Sequence, residues 1–454
     1  MSVNGLCQRN SGFYSLRIGK GMTHGQILTT LHQAKDIQRL TEVDLISVAL
    51  TKQQATLLAE VLSNQKDLAL TTFFHCSGRS INIVVASAVL HSKHLQIIDC
   101  SSIREGYINT IGSALVSNEN SRRQVKLASL RIYNEQFPNS NSTLAIAKGL
   151  ASSNHSLREL VFTGCMFDDI TDETNSLSSL EALAYTLRDC TSLESLTLDG
   201  CALSSDQLVT LADAMRHMPS ISALSLSVNY CSAVAAKAIA SLLSGKQMTN
   251  LRLVGSGTAN AIQIILDSIL EQTNTSLRMV ALPGMKLTDQ QLVQWAHRIR
   301  QPSSRLERVY IRHRCCFGRN AITTGTMSPP TTWLEPFLLL LSAVETNSTL
   351  TDLEISEPIV RRVADVDPDL ARILRLILFY TTMNKEGLKR LLKQSIPPAL
   401  WPFILESSYH KLLYHYLSTS YSKHLLNRQV DGFCMVVSTQ YFLLRNGPIL
   451  LSWR

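Results

Sequence analysis

Apolar residues return along this chain at offsets of three, then two, then three again to a small or amide residue. The clearest runs are Leu157-x-x-Leu160-x-Phe162-x-x-Cys165, Leu193-x-x-Leu196-x-Leu198-x-x-Cys201 and Ile221-x-x-Leu224-x-Leu226-x-x-Asn229. The same offsets start at Phe13, Leu40, Leu68, Leu95 and Leu127 and again at Met248, Leu277, Leu306 and Leu350. That makes about twelve units, mostly about 27 to 32 residues apart. Within each unit the apolar residues two apart have the period of a strand, so they enter a core while their neighbours face out. Between these runs the period changes: Leu208, Leu211, Ala212 and Met215 form one stripe at helical spacing. Each unit therefore predicts one strand and one full helix, and the Phe337–Leu341 run belongs to such a helix.

This L-x-x-L-x-L pattern is that of a leucine-rich repeat. Units near 28 residues with a true helix, closed by Asn154-His155-Ser156, Asn274-Thr275-Ser276 or Asn347-Ser348-Thr349 before the next leucine, resemble the ribonuclease-inhibitor type. NOD-like receptors and Ran GTPase-activating proteins share it. The resemblance spans roughly residues 10–357. It implies an α/β solenoid, a horseshoe with parallel strands inside and helices outside. The three Asn-x-Ser/Thr stretches are expected to be turns rather than glycosylation acceptors, because the first ten residues hold no apolar stretch of a secretory signal.

The template stops near Glu357, which sets an expected division into a solenoid over 1–357 and a helical module over 358–454. Asp367-Pro368-Asp369 reads as a helix start, with proline early and acids near the positive end of the dipole. The residues Phe379, Tyr380, Asn384, Gly387 and Leu391, then Leu400-Trp401-Pro402, then Leu443, Leu444, Gly447 and Pro448 resemble the tail of leucine-rich-repeat proteins of diatoms and related stramenopiles. That resemblance implies no activity; the segment Ser418–Asp431 departs from it. A solenoid exposes an apolar face at its last repeat, so the module is expected to be a cap, with an independent binding domain as the alternative. From Val360 onward lie 13 Lys plus Arg against 6 Asp plus Glu, which is +7 of the chain's formal +8. Such a surplus suits an acidic partner, nucleic acid or anionic lipid, or is simply a solvated basic face.

Composition limits the functional classes. With 45% hydrophobic residues and no apolar run long enough to span a bilayer, the chain is expected to be intracellular and monomeric, in the cytoplasm with the nucleus as alternative. Ten cysteines contain no Cys-x-x-Cys pair. Cys165 and Cys201 follow strands, where a small buried thiol fits the bend, and Cys315-Cys316 beside His313 is a poor metal set because neighbours on a strand point apart. His91 with His94, His410 with His415, and Asp365-x-Asp367-x-Asp369 likewise lack a complete ligand set. No phosphate loop, nucleophile elbow, kinase set or zincin helix is present, so no catalytic residue, metal or cofactor is expected.

The third, fifth and seventh template positions would line the concave face. They include Phe74, Arg131, Tyr133, Arg252, Arg308, Tyr310 and Arg312, with Glu42, Asp44, Asp352 and Glu354 toward the ends. Arginine and tyrosine dominate binding hot spots because they combine large area with directed hydrogen bonds. About three dozen such positions exceed the roughly 20–30 residues per side of a standard interface. The expectation is a non-enzymatic scaffold or recognition receptor for a protein. Alternatives are a GTPase-activating regulator that supplies an arginine in trans, by fold analogy, and a nucleic-acid scaffold using the arginines from 298 to 319.

Overall fold

The protein is described from a computed structural model covering residues 5–8, 13–98, 100, 106–117, 127–134, 136–137, 145–150, 156–167, 179–229, 231–246, 248–255, 258–270, 276–313, 334–355 and 368–385. Cys315, Cys316, Asn154, Asn274 and the segments 396–406, 418–431 and 441–450 of the sequence reading lie outside them. The architecture is α/β, with a mostly parallel sheet and helices between strands. Two compact units divide the chain, Met1–Ser276 and Leu277–Arg454.

In the first unit β1 (Gly5–Gln8) runs antiparallel to β2 (Tyr14–Gly19). From β2 onward the sheet is parallel through β3 (Leu40–Ile46), β4 (Leu70–Phe74), β5 (His94–Ile98), β6 (Ser129–Tyr133), β8 (Glu159–Thr163), β10 (Ser195–Asp199), β11 (Ala223–Ser227) and β12 (Asn250–Val254). Short strands β7 (Gln136–Phe137) and β9 (Met166–Phe167) pair with each other beside it. Parallel neighbours need crossovers. These are α1 (His24–Lys35), α2 (Lys52–Ser63), α3 (Ile81–His91), α4 (Gly106–Ser117), residues 145–150, α5 (Ser179–Leu187), α6 (Ser205–His217) and α7 (Ala233–Gly245); α8 (Ala259–Leu270) follows β12. The second unit holds β13 (Met279–Leu287), α9 (Asp289–Arg300), β14 (Arg308–His313), α10 (Glu335–Thr346), β15 (Asp352–Ile355) and α11 (Pro368–Lys385), with β13, β14 and β15 parallel.

The apolar template is the core. Leu40, Val43 and Leu45 are fully buried, as are Leu127, Leu130 and Ile132 and also Leu196 and Leu198. Leu208, Leu211, Ala212 and Met215 of α6 are fully buried on the helix side. Helix starts repeat a hydroxyl-x-x-Gln box: Thr23 with Gln26, Thr51 with Gln54, Ser204 with Gln207 and Thr288 with Gln291 satisfy each other's backbone N–H. At the bend the ninth-position thiols point back to the preceding strand. Cys76 donates to the Leu45 carbonyl at 3.3 Å, Cys165 to Ile132 at 3.5 Å and Cys201 to Phe162 at 3.4 Å. The residue just before each thiol turns left-handed: His75, Gly164 and Gly200 have φ of 49°, 66° and 69°.

Two details differ from the sequence reading. Leu95 pairs with Thr71, the fourth position of its unit, so that unit starts at buried Ser92 rather than at Leu95. A serine occupies the leucine site there because its hydroxyl meets that of Thr71 at 2.6 Å inside the core, a polar pair that hydrophobic spacing does not reveal. Asn229, the expected ninth residue, is exposed, and Val228 and Cys231 are buried in its place. By contrast Asn347 of Asn-Ser-Thr is a buried turn residue. Its amide donates to the Ile299 carbonyl at 2.8 Å and accepts from Thr349 and Leu350 N–H at 2.8 and 2.7 Å.

In the second unit α11 begins at Pro368, as the acid-proline-acid start predicts, and packs on α10 and β15 through Leu370, Ile373, Ile377 and Tyr380. None of the helices among the described residues is long and apolar enough to cross a membrane.

Candidate functional site

Alternation leaves the third, fifth and seventh positions on the strand face, and the parallel register stacks equivalent positions into rows. In the first unit the seventh-position row reads Ile46, Phe74, Ile98, Tyr133, Thr163 and Asp199, each paired with the next. All six are half-buried. At the strand spacing of about 4.8 Å, the first four lay an apolar and aromatic stripe roughly 14 Å long across β3 to β6. Phe74 stands edge-on to His75, ring centres 4.2 Å apart, which the left-handed turn at His75 makes possible.

Below the stripe the face is polar and internally paired. Arg131 Nη2 donates to both carboxylate oxygens of Glu159, at 3.1 and 2.8 Å, and its Nε adds a bond at 3.1 Å. Ser129 donates to the same carboxylate at 2.6 Å. Burial pushes the Glu159 carboxyl up, but the Ser129 and Arg131 hydrogen bonds outweigh it and hold the group below its ordinary range. His94 sits one strand away and is held below its usual value by burial, then by Lys93 and Arg131, so its imidazole is neutral near pH 7. Arg252 donates to Asp199 at 3.3 Å, Asp199 also accepts from Ser225 at 2.6 Å, and Arg17 lies 3.4 Å from Asp44. Glu42 is on the third-position row between Ser15 and Leu70.

The second unit carries Arg308, Tyr310, Asp352 and Glu354 on its strand face. Tyr310 donates to Asp352 at 2.8 Å, and its phenol is pushed up to about 12 by burial and then by that carboxylate. Arg308 and Glu354 are exposed. Arg312 pairs in register with Lys286, and its side chain lies outside the described residues.

The template thus placed Phe74, Arg131, Tyr133 and Arg252 on one face of the first unit, and Arg308, Tyr310, Asp352 and Glu354 on one face of the second. It did not single out Glu159 or Asp199, which hold Arg131 and Arg252. Glu159 is a third-position residue and Asp199 a seventh-position one, so scanning every face position of every unit would have found them. Ile46 was missed for the same reason, whereas Ile98 was missed because the start at Leu95 made it a core position. Among the described residues no group of three metal-ligating side chains comes together.

No family model matches the chain, and no curated protein matches it. Among solved structures, the leiomodin-1 actin-binding site 2 is similar over 46% of this chain and 93% of its own, at 15% identity and a TM-score of 0.26. A likeness that low carries no argument about fold or function.

Proposed function

We propose that the chain is a leucine-rich-repeat scaffold of the ribonuclease-inhibitor type that holds a protein partner on its strand face, with the C-terminal helical module as cap. The observation that carries this reading is the seventh-position stripe of Ile46, Phe74, Ile98 and Tyr133, four large side chains left half-buried in adjacent strands. Contiguous apolar surface rimmed by satisfied polar groups is the composition of a protein interface core. The salt bridges of Arg131 and Arg252 support the same reading. A carboxylate beside each guanidinium disfavours a phosphate backbone, and a held arginine is not one offered in trans to a nucleotide. The buried packing of Leu370, Ile373, Ile377 and Tyr380 on α10 and β15 supports the cap.

The test is site-specific photo-crosslinking in cells with a benzophenone amino acid at Phe74, at Tyr133 and, as control, at Tyr185, which is 66% exposed on α5. One protein adduct common to positions 74 and 133 and absent at 185 is expected. Adducts that vanish on nuclease treatment, or that form equally at all three positions, would replace the proposal with nucleic-acid binding or with nonspecific association.

A further inference from the structure

The spacing of the seventh-position stripe selects among the shapes that a protein can present to it. Ile46, Phe74, Ile98 and Tyr133 stand in register on four successive parallel strands, so three gaps separate them. At about 4.8 Å per strand, the centres of the outer two gaps lie roughly 9.6 Å apart. Residues i, i+3 and i+7 of an α-helix share one face and span about 10.5 Å at 1.5 Å per residue. Three same-face residues of an extended strand span about 13 Å. A helix therefore seats one residue in every gap to within about 1 Å, whereas a strand misses by about 3 to 4 Å.

Charge complementarity points the same way. The face of β4 and β5 consists of Leu70, Thr72, Phe74, neutral His94, Gln96 and Ile98, so it carries no charge. The charges that flank it on the fifth-position row are already matched, Asp44 by Arg17 on one side and Arg131 by Glu159 on the other. A partner that set a charge against β4 and β5 would bury it without a counter-charge, so the complementary surface is an uncharged ridge. One pleat below Phe74 and Ile98, Thr72 and Gln96 lie side by side, and neither side chain makes a hydrogen bond among the described residues. A hydroxyl and an amide each offer both donor and acceptor, which suits neutral polar side chains beside that ridge.

On the reading of the strand face as a protein-binding surface, we propose that its occupant is an amphipathic α-helix of the partner, laid across β3 to β6. Apolar residues i, i+3 and i+7 of that helix fill the three gaps of the stripe. Serine, threonine, asparagine or glutamine on the flank of the same ridge bonds Thr72 and Gln96. A helix satisfies its own backbone, so it covers the apolar stripe without burying unpaired N–H and C=O groups. An extended segment crossing the strands would press those groups against Phe74 and Ile98, which have no side-chain donor or acceptor to offer.

The test is selection of displayed peptides on the immobilised full chain from two libraries, one biased to helix by alanine, glutamate and glutamine at its fixed positions and one of unbiased linear peptides. Binders are expected from the helical library, with uncharged apolar residues at i, i+3 and i+7, and their circular dichroism should gain helix when the chain is added. Phe74→Ala and, independently, Ile98→Ala should each weaken them at least about tenfold in variants whose dichroism matches the natural chain, while Tyr185→Ala leaves them unchanged. Binders with alternating apolar residues, binders with a charged ridge, indifference to both stripe variants, or no enrichment from either library would each overturn the helix. The photo-crosslinking experiment separates the two failures. A common adduct at positions 74 and 133 without a helical binder leaves a protein partner of another shape, whereas the absence of that adduct removes the binding surface itself.

Discussion

Arg131 and Glu159 face one another across β6 and β8 and exchange three hydrogen bonds of 2.8 to 3.1 Å, so the most prominent arginine of the first unit's strand face is already occupied by the protein itself. Because the Glu159 carboxyl is held below its ordinary value, its stabilising contribution is present above the unfolded glutamate value of about 4.3 and is lost as pH falls through the folded value. The pair is partly exposed, which limits its net worth to about 1 kcal/mol or less. Denaturant melts of Glu159→Gln and the natural chain should differ by that small amount at pH 7 and converge as pH falls through the folded value of Glu159. A difference that grows on acidification would show that another group sets the acid response.

Leu196 and Ser195 are neighbours on β10 with opposite fates, one fully buried and the other on the strand face. Leu196→Ala should cost about 2–5 kcal/mol through lost burial and a cavity, while Ser195→Ala should stay within about 0.5 kcal/mol. Urea denaturation of both variants checks this. Equal shifts would mean that the strand register is wrong.

Gly112 and Gly149 mark the closest approach of two successive helical segments. A Cβ on Gly112 would stand 2.3 Å from the Ala145 carbonyl oxygen, whereas one on Gly25 in the first turn of α1 meets nothing within 4 Å. Gly112→Ala should therefore lower the melting temperature by several degrees, since backbone has to move. Gly25→Ala should raise stability by about 0.4–1 kcal/mol by restricting the unfolded chain. Thermal melts of the two variants distinguish close packing from a general intolerance of alanine.

Burial pushes the thiols of Cys190 and Cys201 up to about 11 and about 12. At pH 7.5 neither supplies thiolate, so peptide-resolved iodoacetamide labelling should leave both unmodified in the native protein and modify both in denaturant. Native labelling of Cys201 would mean that the bend opens far more readily than its hydrogen bonds to Phe162 and Asp199 imply.

Hydrophobic spacing was enough to read the alternation of strand and helix, the fully buried leucines and the thiols at the bends, and the acid-proline-acid sequence was enough to read the helix start at Pro368. Each depends on period and local preference, and both are properties of nearby residues. The start at Ser92, the left-handed turn at His75, the stripe from Ile46 to Tyr133 and the pairing of Arg131 with Glu159 were decided only in three dimensions. They join residues some 21 to 35 positions apart, and only the register between parallel strands determines which of them meet. Asn384 makes the same point at longer range. Its two donors find carbonyls 37 and 34 residues earlier, and its unmet oxygen became visible only once α11 had docked.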